Sequence, residues 1–504
     1  MSSITLNGDN DELDEACRTE ADDLDPEVVQ RIEAYRAELR DRQVSGVGPP
    51  SANLPDDFWA AHTVLEQIRA AARDRMVSPD TVLGVLLART AGFLTPERLR
   101  VDTGVDDRTS LNLIVASIGP PGVSKSQSAT LGHRLLPAVE FPHARLGNIG
   151  SGEGIAEAFM GVREVGTGEE AKNHRPVTER GQVRTSAFLE ADEGELLTKL
   201  GERSGSTLGT TLRSAFSGAP LGQLNATKER QRDVRDYALG LAISFQPETA
   251  RPLFKEAAQG TPQRLLYFSA IDPLMPPPPP VQEAAFGESA SAPTPSCDAL
   301  AARLVANVRK AVTAPAMEPT QTTIIAFPPG VAHEVRIRRH HAHTGALAGE
   351  NPLDGHCMLL RLKVAALLAI LLGEIRPGRN VISERMWHLA GQLVDTSCAV
   401  RDDLVRQARE AERKCREDAK ELHADREVHA DAARHAAKVE RMAKRVRKYT
   451  AAAGAEGLLL RGRGGLIQRF DGRERGLLDE AIDHAADAGW IRIDQEEGRV
   501  YAGM

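Results

Sequence analysis

Eight consecutive residues, Gly119, Pro120, Pro121, Gly122, Val123, Ser124, Lys125 and Ser126, combine a pliable backbone with one cation and one hydroxyl. Glycines let successive amide N–H groups turn onto an anion. Lys125 has the reach for the β- and γ-phosphates of a nucleotide, and the Ser126 hydroxyl is a ligand for Mg²⁺. Gln127 follows at the predicted N-terminus of a helix, where the free amides and the dipole favour a phosphate. The candidate ATP-binding set is therefore Gly119, Pro120, Gly122, Val123, Ser124, Lys125, Ser126 and Gln127, in the Walker A pattern. One residue departs from that pattern. Ser124 stands where glycine is usual, and a left-handed backbone there costs a serine energy that a glycine avoids.

Phosphate chemistry also needs carboxylates. Residues 186–193 read Ser-Ala-Phe-Leu-Glu-Ala-Asp-Glu, an apolar strand running into acids. Asp192 is the candidate partner of Ser126 on Mg²⁺, and Glu193 the residue that orients or deprotonates the attacking water. Glu190 competes for either role. The strand over 237–245 ends near Ser244 and Gln246, in the position of a γ-phosphate sensor. Arg264, at the end of Gly-Thr-Pro-Gln-Arg from 260, is the candidate arginine finger, reaching into a neighbouring subunit's site. Ser151 reads as a helix cap.

These groups require a scaffold. The apolar run 110–118 predicts a buried strand ahead of the loop, and 127–136 a helix after it. Further strands over 184–190 and 237–245 alternate with helical patterns, which predicts an α/β core with a parallel sheet. In the N-terminal stretch, Phe58, Ala61, Val64, Leu65 and Ile68 recur at helical spacing, and Ser78-Pro79 opens a second helix. The expected fold is an α/β P-loop NTPase core with helical N-terminal and lid regions and a C-terminal winged-helix domain. Its expected boundaries are 1–55 for an acidic tail, helix and linker, 56–109 for a helical region and 110–272 for the core. Then follow a Pro-rich linker (273–296), a helical lid (297–400), a charged helical segment (401–448) and the winged helix (449–504).

The tail carries a second candidate surface. A helix over 472–488, capped by Asp471, is followed by Gly489, Trp490 and two short strands around an acidic turn (Asp494, Glu496, Glu497). In DNA-binding versions of this arrangement the helix N-terminus enters the major groove. Arg469, Arg473 and Arg475 lie at that end, and Arg461, Arg463 and Arg499 are candidate phosphate contacts. Residues 400–448 read as a solvated helix laced with ion pairs. His340, His341 and His343, beside Arg336, Arg338 and Arg339, read as a basic solvent-facing loop rather than a metal site.

Bulk composition narrows the classes. The net charge of −8 excludes a polycation that coats DNA, so a nucleic-acid surface must be local or assembled from several subunits. The five cysteines include no Cys-x-x-Cys pair, so neither a disulfide framework nor a structural zinc is expected, and a cytoplasmic location is. No N-terminal basic-plus-apolar segment predicts secretion, and no membrane partner is expected.

The run N-L-I-V-A-S-I-G-P-P-G-V-S-K-S from 112 resembles the start of the ATPase domain in helicase-like proteins of prophages and mobile elements. These are often associated with primase modules and are similar to AAA+/RecA-like helicases. Further pieces match in order: S-G-E-G at 151, the acidic strand end at 192, L-R-S-A-F-S-G at 212, F-Q-P at 245 and G-T-P-Q-R at 260. D-G-H at 354, R-L-K-V-A-A-L-L-A at 361 and M-W-H-L-A at 386 complete the set, which covers roughly 55–410. The resemblance implies a homo-oligomeric ring, with a hexamer as one form. It also implies ATP hydrolysis coupled to DNA replication or remodelling, with a primase or other replication partner. Two other readings stand beside it. One is a nucleotide-binding DNA switch with little hydrolysis, motivated by Ser124. The other is a small-molecule kinase, which the length and the tail disfavour.

Overall fold

The computed structural model describes residues 53–96, 99–105, 108–165, 177–192, 194, 207–222, 232–255, 260–277, 297–312, 323–347 and 349–503. The expected features of residues 1–52, most of the 273–296 linker, and Glu193 lie outside them. The chain divides into two compact units, Met1–Ala408 and Arg409–Met504.

The first unit is built on a sheet of five strands. They are β3 (Leu113–Ile118), β4 (Ala144–Asn148), β7 (Ser186–Ala191), β8 (Ala238–Phe245) and β9 (Leu265–Ser269). Their spatial order is β4-β7-β8-β3-β9 and every pairing is parallel. β3 and β9 are buried at every position, as strands covered on both faces must be. The edge strand β4 is mostly exposed. This is the α/β core that the apolar runs predict.

Helices α1 (Asp56–Ala60), α2 (Thr63–Arg73) and α3 (Pro79–Phe93) precede the sheet in sequence. α3 is buried along its whole length and lies on one face of the sheet. Glycines permit that approach. A Cβ at Gly240 would stand 1.7 Å from the Ala88 carbonyl oxygen, and one at Gly92 would stand 2.5 Å from that of Ala187. Ser78 caps α3 and its hydroxyl donates to the Ser269 carbonyl at 2.7 Å, tying the helix start to the end of β9. A single cluster of buried side chains runs from Leu54 to Leu404, so these helices share one core with the sheet.

Several small strands were not expected from the periodicity. β1 (Leu99–Asp102) pairs with β2 (Arg108–Thr109) and with the later β10 (Thr323–Ile325), while β5 (Met160–Val165) and β6 (Val177–Gln182) form a hairpin. β1, β2 and β10 are too short to carry enough alternations to register as a pattern.

After β3 come α4 (Lys125–Leu135) and α5 (Gly152–Glu157), then α6 (Leu208–Ser217) and α7 (Pro247–Lys255), then α8 (Cys297–Val312). The histidine-rich segment is not a loop. It forms α9 (Pro329–Thr344), with only Val331 and Val335 buried and its four histidines, His333, His340, His341 and His343, exposed. One apolar pair per sixteen residues is too weak a stripe to read as a helix. α10 (Cys357–Leu371) is apolar on all sides and buried from Leu362 onward. α11 (Glu384–Ala453) is one 70-residue helix, crossing the unit boundary within its charged portion.

The second unit has its own core, joining Val439, Met442 and Val446 of α11 to Leu458, Leu466 and Phe470. Leu478, Ile482 and Ala485 of α12 (Leu478–Asp487) complete it, with strand residues Ile491 and Val500. β11 (Leu458–Leu459), β12 (Ile491–Asp494) and β13 (Arg499–Ala502) form an antiparallel sheet in the order β11-β13-β12. The helix expected from 472 begins only at Leu478. Asp471 Oδ1 accepts the amides of Arg473 and Glu474 and holds a turn, and Gly472 and Gly476 disfavour helix before it. Among the described residues no helix is long and apolar enough to cross a membrane.

Candidate functional site

The candidate loop leaves the C-terminal end of β3, the strand between β8 and β9. Its first amide, on Gly119, donates to the Phe245 carbonyl at the end of β8, which anchors the loop to the sheet. Gly119 is sterically obligatory, because a Cβ there would lie 2.6 Å from Val123 Cγ2 and 2.8 Å from Ala270 Cβ. Gly122 takes a left-handed φ of 87° in open space. Pro120 and Val123 are half-buried, and Ser126 and Gln127 are exposed. The first-turn amides of α4 have no carbonyl of their own helix to bind, so they point at the same space.

Ser124 sits at φ 56° and ψ 33°, immediately before α4. The left-handed conformation that its position suggested is therefore present, and it is carried by a residue with a Cβ. Its carbonyl accepts from the Ser128 amide at 3.0 Å, which fixes the conformation from the helix side.

The Lys125 ammonium closes back over the loop. Nζ donates to the Gly119 carbonyl at 2.6 Å and to the Pro120 carbonyl at 2.9 Å. Partial burial holds its pKa below the ordinary lysine value. The cation is thus bound to two loop carbonyls, acceptors weaker than a phosphate oxygen.

The acidic strand end faces the same side. In β8, Gly240 lies against Ala88 of α3. In β7, Phe188 lies under the Arg89 guanidinium, 4.8 Å from its ring centroid, and Glu190 Oε1 meets His133 Nε2 of α4 at 2.7 Å. Strand alternation carries this face onward to Asp192, which is exposed just past β7, and in β8 to Ser244 and Gln246. Asp192, Ser244 and Gln246 are at the carboxyl ends of parallel strands, where α/β sheets bind ligands, and Ser126 lies in the first turn of the helix that follows β3. β7 is not adjacent to β3. β8 intervenes, which separates the two strand ends by about 10 Å. Glu190, the other candidate for the metal role, is engaged with His133. The Gln246 carbonyl accepts the amides of Thr249 and Ala250 and starts α7. Ser151 caps α5 as expected, accepting the Gly154 amide at 3.0 Å.

Arg264 lies at the other end of the sheet. It immediately precedes β9, whose first residue is level with Ile114, whereas the loop follows Ile118. About 16 Å of strand separates the two ends, so Arg264 has no access to the loop of its own chain. Its guanidinium donates to the Gly260 carbonyl, its buried Nε has no hydrogen-bond partner among the described residues, and burial with Arg213 nearby lowers its pKa. Burial, together with the same cation, pushes His356 down to about 4. Lys363 of α10 is fully buried there, donating to the carbonyls of Asn112 and Phe216. This polar interior had no signal in the sequence, since Lys363 sits in an otherwise apolar run.

In the second unit, Arg461, Arg463, Arg469, Arg473 and Arg475 are all exposed between β11 and α12. Arg475 Nε donates to the Phe470 carbonyl, and the Arg469 guanidinium lies 5.3 Å over the Tyr449 ring. Arg499 stands in a different setting from the other five. It is half-buried and donates to the carbonyls of Glu456 and Gly457, so it holds β13 against the end of α11. Asp494 accepts the amides of Glu496 and Glu497, keeping the strand turn acidic.

In comparison with known proteins, no family model and no curated protein matches this sequence.

Proposed function

We propose that this chain is a P-loop ATPase that works on DNA, as a helicase or replication initiator of the mobile-element kind that its motifs resemble. One observation carries the reading. The Lys125 ammonium stands within a glycine loop at the carboxyl end of a central parallel strand, with Asp192 on the same sheet face. ATP would lie with its phosphates on the amides of Gly122 to Gln127, and Ser126 and Asp192 would hold Mg²⁺. Arg264, remote from its own loop, suits a role across a subunit boundary, which supports a homo-oligomeric ring. The second unit, with its exposed arginines and β-hairpin, is read as a winged helix on DNA phosphates. The left-handed Ser124 favours one other reading, a switch that binds nucleotide and hardly hydrolyses it.

ATP hydrolysis by the purified protein, alone and with single-stranded or forked DNA, decides between them. DNA-stimulated turnover lost in Lys125→Ala supports the motor. ATP binding without turnover supports the switch. Turnover unchanged in Lys125→Ala overturns the loop assignment. Lys125→Ala removes a charge-assisted contact, so ATP affinity should fall about ten- to a hundredfold.

A further inference from the structure

Cys357 opens α10 and Cys398 lies on α11, 41 residues later, yet their sulfurs are 3.3 Å apart. Both are half-buried, whereas Cys297 is buried and Cys415 exposed. Arg401, one turn beyond Cys398, donates to Asp354 Oδ1 at 2.7 Å and to the Leu353 carbonyl at 2.8 Å. Asp354 is also within 3.7 Å of the Cys357 sulfur. The group thus joins two thiols from two helices with a guanidinium that favours a thiolate.

We propose that Cys357 and Cys398 form a reversible dithiol–disulfide site, oxidised by a peroxide. The Cys357 thiolate attacks one peroxide oxygen; the S–O bond forms, the O–O bond breaks, and the departing hydroxide takes a proton to become water. The Cys398 thiol then gives up its proton and its sulfur attacks the sulfenic sulfur. The S–S bond forms and the second oxygen leaves as water. Two thiols and one hydrogen peroxide become one disulfide and two waters, and a dithiol reductant reverses the change. The polarity of the pair follows from its contacts. The hydrogen bond from Cys398, helped by Arg401, lowers the Cys357 pKa, while the same bond and burial raise that of Cys398.

Asp354, Cys357 and Cys398 also lie close enough together to share a metal ion. The oxidation reading is favoured because the Asp354 carboxylate is already taken up by Arg401, which also pairs with Asp402. Among the described residues no fourth ligand completes a tetrahedral set. Oxidation would clamp the start of α10 to α11. The turn Pro352–Asp354 beside it touches Gln263 ahead of β9, so the clamp acts on the segment that carries Arg264.

The test is peroxide titration of the full-length protein followed by thiol counting and peptide mapping. The protein should lose two of its five thiols and yield one peptide pair joined through Cys357 and Cys398, absent after dithiothreitol. Its melting temperature should rise on oxidation. In Cys398→Ser, Cys357 should stop at a sulfenic acid that dimedone captures. Selective oxidation of Cys415 with Cys357 and Cys398 still alkylatable would overturn the proposal. So would thiols that react only after a chelator strips a divalent ion. The wild-type peptide map decides the question even if the variant does not fold.

Discussion

Glu190 and His133 meet at 2.7 Å and join strand β7 to helix α4, the helix that begins with Lys125. The two nearby acids therefore stand in different settings. Glu190 holds α4 to the sheet, and Asp192, two residues further along the same face, is exposed at the strand end. Asp192→Asn should reduce Mg²⁺-dependent turnover by about a hundredfold or more, since removing a metal ligand takes away several kcal/mol of transition-state stabilisation. Glu190→Gln should keep turnover within a few-fold and lower stability by about 1 kcal/mol. Rates and unfolding midpoints of both variants check this, and the reverse pattern would transfer the metal role to Glu190.

Ser124 holds a conformation that costs an L-residue about 1 kcal/mol. Ser124→Gly should relieve most of that, partly offset by the greater freedom of glycine in the unfolded chain. Denaturant unfolding should show a gain of up to about 1 kcal/mol, with tighter ATP binding. A destabilised Ser124→Gly protein would mean that the serine side chain contributes more than its backbone strain removes.

Asp80 is buried in the first turn of α3, where its Oδ2 accepts the Leu54 amide at 2.8 Å. Burial raises its pKa to about 7. Between about 4 and 7 the folded carboxyl keeps a proton that the unfolded one has lost, so stability from this group falls as pH rises through that window. Asp80→Asn cannot ionise and retains an acceptor for Leu54. It should match the wild type near pH 4 and exceed it above about 7, by an order of a few kcal/mol at most. Melting curves across pH are the check, and parallel curves for the two proteins would refute the shift.

Arg461, Arg463 and Arg473 are exposed in the second unit, and their substitution spares the hydrogen bonds made by Arg475 and Arg499. Replacing all three with alanine should weaken DNA binding. On duplex DNA the slope of log affinity against log salt should become shallower by about 0.9 for each phosphate no longer neutralised. An unchanged slope would exclude this surface as the phosphate reader.

The parallel sheet, its loop and its acidic strand end were legible because local patterns carry them. β3 is apolar at all six positions but Ser117, and the glycines, Lys125 and Ser126 follow it directly. Asp192 and Ser151 were placed the same way, by position relative to a strand or a helix start. The order of the strands was not legible, and so neither was the intervening β8, because pairing joins segments far apart in sequence. The sequence did suggest what Ser124 would suffer, since one residue's φ is a local matter. It could not show that Glu190 is occupied by His133, that Arg264 faces away from its own loop, or that Arg499 binds backbone carbonyls. Each depends on which elements lie side by side. The cysteines make the point most clearly. By spacing alone Cys357 and Cys398 are unrelated, and only the packing of α10 against α11 brings their sulfurs within 3.3 Å.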